Sequence, residues 1–298
     1  MEAYMKKIGL SFGLLNKTFG AERGLEILKA SGFDTVDFNL SEYTLSSKIY
    51  LSSDDEFDSY FDAIRKKAEE LELEISQTHG RCITYIPGDD EANEKFLKVT
   101  ERDLRASAIL GSPACVVHFI NSTRWGKQPA SLMRQVSGDM FSRIIPYAEK
   151  YKVKIALETF GAARVKGERI RDFFADPDEF KMQYNAMNTE YKTMCVDTGH
   201  THEAESFWVP PPEEIIRILG EDVTLLHLHD NSGHWDDHLL PRMGNINWPA
   251  VFEALSDIGY KGTYNFELSL KFAGSMLEEY LGFAGKYLRK FVDNCGIL

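Results

Sequence analysis

Residues 31–38 read SGFDTVDF. A glycine stands where a helix would end, and an apolar, β-branched run begins directly after it. Glycine takes the left-handed backbone that closes a helix at little cost. The same order returns as LGSPACVVHF at 110–119 and IGYKGTYNF at 258–266, so Gly32, Gly111 and Gly259 each mark a helix-to-strand passage. Working outward from these, strand-like runs are expected at 7–12, 35–40, 74–79, 114–119, 154–160, 193–197, 224–228 and 263–268. Most show little polar alternation, as parallel strands covered on both faces do. Helical stretches fill the intervals. Ser53 and Glu56 form a capping-box pattern ahead of Phe57, Tyr60, Phe61, Ile64, Ala68 and Leu71. Asp90 is placed to cap a helix running to Leu110, and Asn247 another with Pro249 in its first turn. Strict alternation of strand and helix implies a parallel sheet. Eight such units in 298 residues predict an α/β chain closed into one (β/α)8 TIM barrel spanning 1–298. No GxGxxG follows the first strand, which argues against an open dinucleotide-binding sheet.

The formal net charge is -12, and the isoelectric point is about 5.2. Such a chain repels phosphate backbones at long range, so no nucleic-acid partner is expected. Cys82, Cys115, Cys195 and Cys295 form no CxxC pair and read as reduced thiols of a cytoplasmic protein. The first residues show no secretory leader, and no apolar run approaches the roughly 20 residues of a membrane span.

Chemistry-bearing residues collect at the ends of the strand runs. The eight histidines are His79, His118, His200, His202, His227, His229, His234 and His238. Each is expected at a strand end or in the loop after it, outside any helix. In a barrel those ends share one face, where active sites are built. IALETF ends with Glu158 near its tip, CVDTGH brings Asp197 and His200, LLHLHDN brings His227 and His229, and YNFEL brings Glu267. An ionised carboxylate inside an apolar strand costs several kcal/mol unless it is compensated. A divalent cation compensates it, and a mixed oxygen and nitrogen donor set suits Mn, Co, Mg, Fe or Zn. After the seventh strand, HDNSGHWDDH crowds Asp230, Asp236, Asp237 and His238 into one loop, read either as a solvated acidic turn or as further ligands.

ALETF, VDTGH, HLHD, GNINW and GTYNFEL together resemble the xylose-isomerase-like barrel superfamily. That superfamily holds sugar and sugar-phosphate isomerases and epimerases such as the tagatose 3-epimerase group, inosose dehydratase-like proteins, and endonuclease IV. The resemblance covers the whole layout and is specific mainly from 155 to 268. It implies one divalent metal held by Glu158, Asp197, His227 and Glu267, with His227 preferred to His229 because it stands three residues before an acid, Asp230. It also implies that Glu158 and Glu267 exchange a substrate proton and that His200 contacts a substrate oxygen. His229, Arg242, His79 and His118 are further candidates for substrate oxygens. By likeness to endonuclease IV, His79, His118, Asp236 and His238 are candidate ligands of additional zinc. Gly233 stands where the tagatose-epimerase pattern has an arginine, so that group's specificity is not carried over. Trp235, Trp248, Phe160 and Phe12 are candidates for a pocket wall or for plain core.

The expected activity is metal-dependent isomerisation or epimerisation of a sugar, sugar phosphate or polyol ketone by proton abstraction beside a carbonyl. The alternatives are a zinc phosphodiesterase acting on abasic DNA, a keto-inositol dehydratase, and a barrel that binds a metabolite without catalysis. A homo-oligomer is compatible with all of these.

Overall fold

The computed structural model describes residues 6–43, 46–81, 85–86, 88–118 and 126–297. The described residues form ten strands in chain order: β1 Ile8–Ser11, β2 Thr35–Asn39, β3 Glu74–His79, β4 Ala114–Val116, β5 Lys154–Glu158, β6 Ala162–Val165, β7 Glu168–Arg171, β8 Lys192–Asp197, β9 Val223–His227 and β10 Tyr264–Phe266. Eight of them form one parallel sheet in the order β10-β1-β2-β3-β4-β5-β8-β9. The ends of that order meet. Leu228 N donates to Asn265 O at 2.8 Å, and Glu267 N donates to Leu228 O at 3.1 Å, closing the ring between β9 and β10. The result is the expected TIM barrel.

The helices cover the barrel because their apolar faces have nowhere else to go. In the helix Asp54–Glu70, Phe57, Phe61, Ile64 and Ala68 are buried, and Ser53 and Glu56 make both capping-box bonds. Tyr60 departs from the expected inward set: it is 37% exposed, and its hydroxyl meets that of Tyr43. The next helix, Asp90–Leu110, is capped by Asp89, whose side chain accepts from Ala92 N, so Asp90 is its first helical residue instead of its cap. Asn247 occupies the cap position of Trp248–Asp257 without a side-chain bond. Gly32, Gly111 and Gly259 have φ of 87°, 76° and 68°, the left-handed value their helix-ending places require. Among the described residues, no helix is long and apolar enough to cross a membrane.

Two features lie outside the expected layout. An antiparallel hairpin, β6–β7, is inserted after β5 and turns at Lys166 and Gly167. The segment after β8 is helical from Thr198 to Ala204, so His200 and His202 sit in a short helix, not in a loop. Cys115 and Cys195 are buried free thiols, whereas Cys295 is exposed; Cys82 and Phe119 lie outside the described residues.

Candidate metal centre

Parallel strands of similar length deliver their last residues to one rim. Glu158, Asp197, His227 and His79 are the final residues of β5, β8, β9 and β3. Glu267 follows β10 by one residue, and His118 follows β4 by two. Asp197 lies directly beside His227 in the β8–β9 register. One ligand atom from each of Glu158, Asp197, His227 and Glu267 lies within 4.8 Å of all the others. His227 Nδ1 is 2.6 Å from Glu158 Oε1 and 3.2 Å from Glu267 Oε2. Asp197 and His227 are fully buried, Glu158 nearly so, while the Glu267 side chain is 20% exposed.

Among the described residues three further groups adjoin this one; the first, Asp37, His79 and His227, lies beneath it and shares His227. On one side His79, His118 and Glu158 converge. His118 Nε2 is 2.8 Å from Glu158 Oε2 and 3.4 Å from His79 Nε2. On the other side His229, Asp236 and His238 converge. His229 Nε2 is 3.0 Å from Asp197 Oδ1 and 3.6 Å from Asp236 Oδ1. Its ring stacks on that of His238 with centroids 4.0 Å apart, and His238 Nε2 meets Asp236 Oδ2 at 3.1 Å. His200 stands between the groups: its Nε2 is 3.5 Å from Asp236 Oδ2, and its Nδ1 is 2.9 Å from Thr159 O. That carbonyl accepts only, so Nδ1 carries a proton.

The charges are concentrated and mutually compensated. Burial alone would raise the Glu158 pKa, but the charges of His227 and His118 outweigh it and hold the carboxyl well below the usual range. Burial likewise opposes ionisation of Asp197, and His200 and His229 overcome it. Burial would lower His227, yet Cys195, Glu158 and Glu267 push it well above an ordinary imidazole. His238 is raised to about 9: burial works against it, and the bond and charge of Asp236 prevail.

Local sequence explains how so many groups fit. Asp197 is also the cap of the helix it starts, its Oδ1 accepting from His200 N at 2.7 Å. Gly199 is required by close approach, since a Cβ there would stand 1.8 Å from His229 Cε1. Asp230, left open between a solvated acidic turn and a ligand, is neither: it is a buried latch. Its Oδ1 accepts from the backbone of Asn231 and Ile246, and its Oδ2 from Arg242 N and Trp248 Nε1. Trp248 and Phe12 are core residues, Phe160 stands between His118 and His200, and Trp235 is 57% exposed.

Six of the eight histidines thus converge. His202 is bonded away, to Glu205 and Asn245, and His234 is exposed. Arg242 is exposed; burial raises the Tyr287 pKa, and the charge of Arg242 offsets only part of that rise. Sequence reasoning missed Asp37. It is fully buried in β2, with Oδ2 3.4 Å from His227 Nε2. The signal was present, an acid inside the apolar run TVDF. It also missed Arg169 of β7, which donates to Glu203 Oε1, Glu203 O and Gly233 O and so ties the helix after β8 to the loop after β9. A cavity of about 440 Å³ beside the hairpin, lined in part by Arg169, Arg171, Phe173 and Trp208, touches none of the converging groups.

Residues 25–277 match the family described as xylose isomerase-like TIM barrel. The chain belongs to this family. Among solved structures, it superposes on the IOLI protein with a binding zinc atom with a TM-score of 0.75 and 17% identity, covering 97% of this chain and 99% of that one. A D-tagatose 3-epimerase-like protein gives a TM-score of 0.71 and 22% identity over 95% and 99% of the two chains. In sequence, the uncharacterized protein y4fM of Sinorhizobium fredii is 22% identical over 271 residues, 83% of this chain and 81% of that protein.

Proposed function

We propose that this chain is a divalent-metal-dependent isomerase or epimerase of a sugar, sugar phosphate or related polyol ketone. The observation that carries the reading is the meeting of Glu158 and Glu267 on one imidazole nitrogen, His227 Nδ1, at 2.6 and 3.2 Å. These are two carboxylates from strands three places apart around the barrel, aimed at one point. The donor set fits a divalent cation, because three carboxylates and an imidazole gather where burial makes uncompensated charge costly. Glu158, Asp197, His227 and Glu267 would hold the ion, which supplies Lewis acidity toward a carbonyl oxygen.

The rest is work for side chains. Glu267, the more open carboxylate, takes the proton from the carbon beside the carbonyl. Glu158, ionised at rest, relays to the carbon a proton drawn from His118 Nε2, 2.8 Å from its Oε2. His200 is bound through Nδ1 to Thr159 O and faces the Asp236 carboxylate with Nε2, so its Nε2–H is the donor available to a substrate oxygen. A D-tagatose 3-epimerase-like protein and a D-psicose 3-epimerase bound to D-tagatose share the barrel, which supports the substrate class.

The flanking groups favour a second reading. His79 and His118 with Glu158, and Asp236 and His238 with His229, could hold additional zinc as in a phosphodiesterase of the endonuclease IV type. Against it stands the charge of -12. A keto-inositol dehydratase would use the same proton abstraction. Incubating the purified protein with a panel of ketoses in deuterium oxide, alongside elemental analysis, separates these. One divalent ion per chain with deuterium uptake at the carbon beside the carbonyl is expected. Three zinc ions with cleavage of abasic DNA and no uptake would replace the proposal by the second reading.

A further inference from the structure

The ring of His227 has a carboxylate at each nitrogen. Nδ1 faces Glu158 and Glu267, and Nε2 faces Asp37 Oδ2 at 3.4 Å. His79 lies nearly flat on the same ring, with centroids 4.9 Å apart and planes 16° apart. His79 therefore closes that face of the ring to polar contacts. Asp37 and His227 are both fully buried, so solvent cannot serve Nε2. Among the described residues His227 Nε2 makes no hydrogen bond, and the Asp37 contact is an ion-pair approach slightly too open to be one.

Asp37 is itself held. It lies in the middle of β2, paired with β1 at Ser11 and with β3 at Gln77. Its Oδ2 accepts from Asn265 Nδ2 at 3.2 Å, and Asn265 is fully buried two residues before Glu267. A neutral imidazole that offers a lone pair on one nitrogen carries its proton on the other. If Nδ1 is to donate toward the rim, Nε2–H needs a buried acceptor, and Asp37 is the carboxylate facing it.

We propose that Asp37 is the positioning residue of the centre: it takes the Nε2–H of His227 and thereby turns the Nδ1 lone pair toward Glu158, Asp197 and Glu267. This rests on the cation-binding reading above and adds to it a residue outside the group of Glu158, Asp197, His227 and Glu267, although Asp37 itself gathers with His79 and His227. Outer partners of metal-bound histidines of this kind are worth about 10- to 100-fold in affinity.

The test is cation titration by calorimetry on wild type and Asp37→Asn, with nitrogen-15 spectra of the zinc-loaded proteins. The expected result is a 10- to 100-fold weaker affinity at unchanged stoichiometry, with a displaced Nε2–H resonance of His227. Should Asp37→Asn not fold, Asn265→Ala, which frees Asp37 Oδ2 from its amide, is expected to shift both readouts less and in the same direction. Unchanged affinity and an unchanged resonance would overturn the role of Asp37 alone. Loss of one whole ion with the remaining affinity intact would also overturn it, making Asp37 a ligand in its own right. A wild type that takes up no divalent cation would remove the parent reading together with this one.

Discussion

The two groups flanking the candidate centre use the same side-chain chemistry on different supports. His79, His118 and Glu158 stand on or just beyond strand ends and are almost wholly buried. His229 is buried too, but Asp236 and His238 hang on the loop after β9, with side chains 40% and 23% exposed. The strand-borne group is fixed by the barrel itself. The loop-borne group depends on side-chain ties, Asp230 from within and Arg169 from the hairpin. Rigid placement suits groups that must meet a reacting atom closely, and the more open side suits admission of a ligand.

Glu158 belongs both to the central group and to the strand-borne one, so its replacement is the strongest way to break the contrast. Glu158→Gln should lower deuterium exchange into a ketose substrate by at least about 100-fold, while the circular dichroism spectrum persists. Exchange at the wild-type rate would take Glu158 out of the chemistry. On the loop-borne side, Gly199→Ala drives a methyl into His229, whose ring is already stacked on His238. A loss of about 1–3 kcal/mol in urea unfolding is expected; a neutral substitution would show that the stack yields easily.

The smallest effect sharpens the comparison through pH. The raised pKa of His238, about 9 against 6.5 unfolded, means that protonated His238 stabilises the fold. This contribution is complete below pH 6.5 and is lost as pH rises through 9. Thermal melts of the metal-free protein should therefore fall across that window, and His238→Asn should flatten part of the slope. An unaltered slope would assign the pH dependence elsewhere.

Much of the barrel was legible because helix-ending glycines and apolar runs are local signals. Glu158 and Asp197 stood out because ionised acids are expensive inside such runs. Asp37 carries the same signal, but its meaning depends on His227, 190 positions away in the chain and adjacent only once the ring closes. The helical placement of His200 was hidden by the double use of Asp197, which reads as a ligand and also acts as a cap. The hairpin had a signal of its own in the Lys166–Gly167 turn, both residues at positive φ. Its four-residue strands carry too little apolar pattern to compete with the barrel runs.

Arg169 joins Glu203 to the carbonyl of Gly233, and Arg164 of the same hairpin lies 3.8 Å over the Trp235 ring. An appendage outside the barrel count thus grips both the helix after β8 and the loop after β9. Exchanging residues of this appendage would shift the loop that carries Asp236 and His238 while the strand-borne donor atoms stayed in place, so the barrel holds one part of the cluster constant and leaves the other adjustable.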